Sequence, residues 1–206
     1  MEKVTLIKSK FLRNLFDQNT YVLSNGKQAI IIDAGAELEE IKQVIKKQKV
    51  LAIFMTHLHF DHFWTLDKYL QEFGCSVYVA DGFAWKFDNA KYNGSSIIKR
   101  EFKKEIPQNS IKFYTKNIKI ADFDFEIIET PGHSADSVCI LFKDYLFTGD
   151  TVFADSVGRV DLIDSDKNAM IQSLSKIRQL KYSTAFPGHY ETAEKSVIDR
   201  TIDLYI

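Results

Sequence analysis

Short runs of β-branched and aromatic residues recur along the chain at 20–23, 29–32, 51–55, 77–79, 111–113, 123–128, 138–142, 145–147 and 183–186. Their length, and the glycines or polar turns that close several of them, predict strands. Between them the apolar spacing changes to that of helices. Residues 37–47 align Leu38, Ile41, Val44 and Ile45, and 65–73 align Leu66, Tyr69, Leu70 and Phe73. Residues 166–180 align Met170, Ile171, Leu174 and Ile177 behind Ser165 as an N-cap, and 191–204 carry Ala193, Val197 and Ile198. Strands and helices interleaved from end to end favour sheets covered by helices over an all-α or all-β fold. Segment 86–110, with Asn89, Asn93-Gly94-Ser95-Ser96 and Pro107, reads as irregular: either a surface lid or a plain connection.

Composition narrows the classes. The 206 residues suit a single domain spanning 1–206, or two half-units sharing one sheet system, with enough chain for a sizeable core. A net charge of -1 gives no general attraction to nucleic acid or acidic membranes. The one basic cluster, Lys99, Arg100, Lys103 and Lys104, is interrupted by Glu101 and Glu105 and reads as a solvated face. The start lacks the apolar core of a signal peptide, and no window approaches the ~20 apolar residues of a membrane span, so the cytoplasm is the default expectation. Cys75 and Cys139 lie far apart without metal-ligand spacing and read as buried thiols of a reducing compartment.

The chemistry-bearing run is His57-Leu58-His59-Phe60-Asp61-His62, directly after the apolar stretch 51–55. Alternation puts His57 and His59 on one side of an extended backbone, while Asp61 and His62 lie past the turn. Imidazole nitrogen and carboxylate oxygen suit a borderline cation. A lone histidine is more often a packed or surface residue than a ligand. Here, however, all five histidines share one context. His133 and His189 each follow a Pro-Gly that ends a strand-like run, and Asp150 in Thr148-Gly149-Asp150-Thr151 emerges from the same kind of position. Asp33, at the end of 29–32, reads by itself as a turn-forming residue.

These motifs, in this order, resemble the five ligand motifs of the metallo-β-lactamase superfamily from about Asp33 to His189. The resemblance implies an α+β fold: an αββα four-layer sandwich of two mixed β-sheets flanked by helices, with metals at one edge. It makes His57, His59 and His133 the ligands of one metal and Asp61, His62 and His189 those of a second, bridged by Asp150. Two divalent ions are implied, zinc first, with iron or manganese also acceptable to such donors. Asp61 and Asp150 are the residues implied at the reaction itself, Asp61 steering the proton of a metal-activated water. For Asp33 the resemblance implies another reading, a support for a ligand.

Gly158-Arg159-Val160-Asp161 resembles the signature of the glyoxalase II-like branch. That implies a thioester hydrolase of hydroxyacylglutathione type acting on a small molecule, without nucleic acid or membrane partners, as a monomer or homodimer. A thiolate leaves readily, so such a substrate needs little general-acid help. Arg159 and Asp161 themselves read as an ion pair holding the loop. Phe63-Trp64 stand where the branch commonly has small residues, and Phe60, Phe63, Trp64, Phe153 and Tyr190 are candidate pocket aromatics. The chain ends about one helix after His189, which leaves glutathione recognition open. The same motifs also fit a persulfide dioxygenase with one iron on His57, His133 and Asp150. Lactone hydrolysis and RNase Z-like nuclease activity rank lower, and a non-catalytic binding module conflicts with seven retained ligands.

Overall fold

The computed structural model describes residues 2–9, 17–99 and 101–206; Arg100 of the basic cluster and residues 10–16 of the N-terminal run lie outside them. The chain divides into two compact units, Met1–Phe113 and Tyr114–Ile206. Each contains one mixed six-stranded sheet with helices, and the expected α+β class is what the structure has.

In the first unit β1 (Lys3–Lys8), β2 (Asn19–Ser24) and β3 (Gln28–Ile32) form an antiparallel meander. From β3 the pairing turns parallel, through β4 (Lys49–Phe54), β5 (Ser76–Val79) and β6 (Ile111–Phe113). Parallel neighbours need a crossover. Helices α1 (Leu38–Ile45) and α2 (Leu66–Phe73) supply the first two. Helix α1 buries Ile41 and Ile45, and α2 buries Leu66, Tyr69 and Leu70. They share one core with Val22, Ile31, Ile53 and Val77. Helix α2 stops at Gly74, whose left-handed backbone lets its N–H return to the Leu70 carbonyl at 3.0 Å. Parallel pairing aligns the carboxyl ends of β3 and β4, with Ile32 opposite Phe54, so Asp33 and the run after Phe54 leave the sheet side by side. That is where open parallel sheets present functional groups.

In the second unit β7 (Asn117–Ile120), β8 (Phe123–Glu129), β9 (Val138–Phe142) and β10 (Tyr145–Gly149) are antiparallel. Helix α3 (Lys167–Gln179) crosses over to β11 (Thr184–Pro187), which lies parallel to β10. The two-residue strand β12 (Ala193–Glu194) and helix α4 (Lys195–Ile202) complete it. Met170, Leu174, Ile177, Ile198 and Ile202 pack with Cys139, Leu146 and Ala185.

Several expectations need correction. Asp166, not Ser165, caps α3: its carboxylate accepts from the Ala169 N–H at 2.9 Å, while the Ser165 hydroxyl donates to the Leu162 carbonyl. Ala193 belongs to a strand paired with Ala185 rather than to the last helix. Edge strands β1 and β7 carried too little apolar contrast to be read. Segment 86–110, read as irregular, has local order among its described residues. It forms 3₁₀ turns at Ala84–Asp88, Ser95–Ile98 and Gln108–Ser110 around a fully buried Asn93. The Asn93 amide donates to the Phe102 and Lys86 carbonyls at 2.8 and 3.2 Å.

Candidate metal centre

The first cluster is built on the exit from β4. Met55 still pairs with β5 through its N–H to the Tyr78 carbonyl, and the chain then enters a single 3₁₀ turn, Phe60–His62. Leu58 and Phe60 are buried in the apolar core, which turns the alternating His57 and His59 to the other side. The Phe60 N–H donates to the Asn93 carbonyl at 2.9 Å, so the buried Asn93 holds the turn from outside. Sequence reasoning missed that residue, because an asparagine in an irregular stretch carries no readable signal of the contact.

Asp33 organises the cluster. It is buried, in a left-handed backbone (φ 58°) that Asp tolerates better than most residues. Its Oδ1 accepts from the Thr56 N–H and its Oδ2 from the Thr56 hydroxyl, each at 2.8 Å. Oδ2 also accepts from His62 Nδ1 at 2.8 Å. Having donated its proton to Asp33, the Thr56 oxygen is left to accept from His57 Nδ1 at 3.2 Å. One carboxylate therefore fixes two imidazoles with their protons on Nδ1 and their lone pairs on Nε2, the form a metal ligand requires. Of the two readings of Asp33, the ligand support is the one its geometry matches.

Across this support, His57 Nε2 lies 3.1 Å from His59 Nδ1. The Asp61 carboxylate comes within 3.9 Å of His62 Nε2. All four side chains are buried. Gly35 lets the chain pass close by, since a Cβ there would overlap the Gln18 side chain and the Asp61 carbonyl.

The second cluster assembles from three strand exits of the other unit. His133 follows β8, Asp150 follows β10 and His189 follows β11, and the Gly188 N–H donating to the Gly149 carbonyl at 2.8 Å locks the last two exits together. Asp150 Oδ2 stands 3.5 Å from His133 Nε2 and 3.3 Å from His189 Nε2. His133 Nδ1 donates to the Arg159 carbonyl at 3.0 Å, leaving the Nε2 lone pair toward Asp150. Gly158 makes that possible: a Cβ there would overlap the Asp150 carbonyl and press on His133. The glycine of the Gly158-Arg159-Val160-Asp161 signature thus has a steric reason that the sequence did not disclose. Arg159 and Asp161 form the expected ion pair, at 2.8 and 2.9 Å and exposed. The guanidinium holds the Asp161 carboxyl below the usual range.

These donors fit a metal. Two ligands about 2.0–2.1 Å from a tetrahedral zinc stand about 3.3 Å apart, and the spacings of 3.1, 3.3 and 3.5 Å lie close to that edge. Charge-assisted hydrogen bonds are typically shorter, about 2.7–2.9 Å. Two acceptors facing each other, as His133 Nε2 and Asp150 do, are stabilised by a cation placed between them. The seven predicted ligands are thus gathered as four in the first unit and three in the second.

The candidate pocket aromatics fare differently. Phe60, Phe63 and Phe153 are buried, and Phe63 packs edge-on against Phe87 at 5.0 Å. Trp64 stacks on Phe102 at 4.8 Å, so the bulk at Phe63-Trp64 is core packing. Only Tyr190 of the five is well exposed. Both cysteines are free, Cys139 buried as expected and Cys75 only partly, and burial pushes each thiol up to about 11. Among the described residues no helix is long and apolar enough to cross a membrane.

A sequence profile described as the metallo-beta-lactamase superfamily matches residues 13–189. A Bacillus subtilis protein, probable metallo-hydrolase YqgX, is 32% identical over 177 residues, covering 83% of this chain and 84% of its own. The crystal structure of BLEG-1 B3 metallo-beta-lactamase superposes with a TM-score of 0.85 at 28% identity over 95% of each chain. That of TTHA1623, in a di-iron-bound form, gives 0.81 at 24% identity over 96% of this chain and 98% of that one.

Proposed function

As the chain belongs to the metallo-β-lactamase superfamily, we propose that its two donor clusters are halves of one binuclear centre, in a single catalytic domain spanning 1–206, and that this centre hydrolyses a thioester. His57, His59 and His133 would hold one divalent ion, and Asp61, His62 and His189 the other, with Asp150 between them. Zinc suits this donor set first, iron and manganese next. Bound there, the ions supply a hydroxide at neutral pH, because coordination lowers the pKa of water to about 7. Asp61 receives and steers the proton of the attacking water. Asp150 would serve both ions, since its Oδ2 faces His133 and His189 alike. Asp33, through Thr56 for His57 and directly for His62, keeps both lone pairs aimed. The thiolate departs without a dedicated proton donor, which suits a site whose acids are all carboxylates.

The observation that carries this reading is Asp150 Oδ2 standing at ligand-edge distance from both His133 and His189. The thioester choice rests on the resemblance of Gly158-Arg159-Val160-Asp161 to the glyoxalase II-like signature, in a turn that is packed on Asp150 and hydrogen-bonded to His133. Elemental analysis of purified protein, run beside turnover of short acyl thioesters with and without added metal, tests it. Two metals per chain and oxygen-independent thioester cleavage are expected. One iron per chain with oxygen uptake on a persulfide would replace the hydrolase by the dioxygenase. Cleavage of lactones but no thioesters would move the substrate class while keeping the centre.

A further inference from the structure

Tyr190 directly follows His189 and has a left-handed backbone, φ 64°. For a bulky aromatic residue that conformation is strained, and glycine or asparagine usually occupies it. Burial does not repay the strain, because Tyr190 is 63% exposed. Its ring stands edge-on to the buried Phe153, at 5.3 Å and 89°, and 6.3 Å from the His189 ring. Phe153 is itself three residues past Asp150 and 6.3 Å from His189. A rigid support therefore holds an exposed aromatic face one residue away from a proposed ligand. Strain kept at such a position points to function.

We propose that Tyr190, backed by Phe153, is the specificity-determining residue of the site: a flat wall that selects substrates whose acyl group carries an aromatic or large apolar substituent. The inference rests on the metal-centre reading above. Its substrate class is a thioester of an aryl- or alkyl-substituted acetic acid, the carboxylate product leaving with the same preference. The test measures binding of acetate and phenylacetate to zinc-loaded protein by calorimetry. Wild type is expected to bind phenylacetate about tenfold tighter than acetate. Tyr190→Gly removes the ring and relieves the backbone, so it folds, and its ratio falls to within about twofold; Tyr190→Phe keeps the ring and the ratio. The matching thioesters show the same change in KM rather than in kcat. An unchanged ratio in Tyr190→Gly, or no preference in wild type, overturns this inference alone. Failure of wild type to take up zinc overturns the metal centre and the inference with it.

Discussion

Replacing Asp33 by Asn is the sharpest probe of how the first cluster is held. Asn tolerates the left-handed backbone at this position (φ 58°) and fills the same volume, so the change is confined to hydrogen bonding. The amide oxygen still accepts from the Thr56 N–H. The amide nitrogen, however, now faces the Thr56 hydroxyl and His62 Nδ1, which both donated to Asp33 at 2.8 Å. Both contacts must reverse. Thr56 then donates to His57, and the His57 and His62 protons move to Nε2, the nitrogens needed for coordination. Exchanging two charge-assisted bonds for neutral ones costs about 1 kcal/mol each, so metal-free protein loses about 2 kcal/mol. At this chain length that lowers Tm by about 4–8 °C. Metal affinity falls further, about 10–100-fold for each ligand whose support is reversed. Thermal unfolding in chelator and competition with a chromophoric chelator read the two effects separately. A variant with lowered Tm but metal affinity within about threefold of wild type would refute the tautomer argument and reduce Asp33 to a structural turn.

Gly158→Ala forces a Cβ into the Asp150 carbonyl; steady-state kinetics and Tm are expected to show loss of turnover and a penalty of at least about 2 kcal/mol, as for other overpacked sites. Arg159→Ala removes only an exposed ion pair and leaves the backbone carbonyl that holds His133, so Tm drops by less than about 4 °C and kcat stays within about threefold. The Cys139 thiol, raised to about 11 by burial, is protonated in the folded protein at pH 8 and reacts with a thiol reagent only on unfolding. Since its folded pKa lies above the ordinary value of 9.0, its stabilising contribution is complete below pH 9 and is lost as pH rises through 11; Cys139→Ala should flatten that alkaline decline in a pH series of melts.

The elements that place the ligands were legible because their physics is local. The apolar stretch before His57 and the Pro-Gly pairs before His133 and His189 mark strand exits wherever they occur. Long periodic helices such as α3 were equally plain. What escaped was set by distant contacts. Glu191–Ala193 looks helical, yet Ala193 pairs with Ala185, because completing the sheet edge outweighs weak local preference. The reach of Asn93 to the ligand turn and of the Arg159 carbonyl to His133 depends on backbone groups that every residue type carries. Phe63 shows the same dependence: apolarity does not say whether a ring faces a pocket or the core, and here it faces the core.

X-ray absorption at the metal edge of the loaded protein tests the central claim most directly. The account predicts nitrogen and oxygen neighbours at about 2.0–2.2 Å, no sulfur at about 2.3 Å, and a metal–metal vector of about 3.5–4 Å that disappears in Asp150→Ala. Isolated ions with no such vector in wild type, or a vector unchanged in Asp150→Ala, would contradict it.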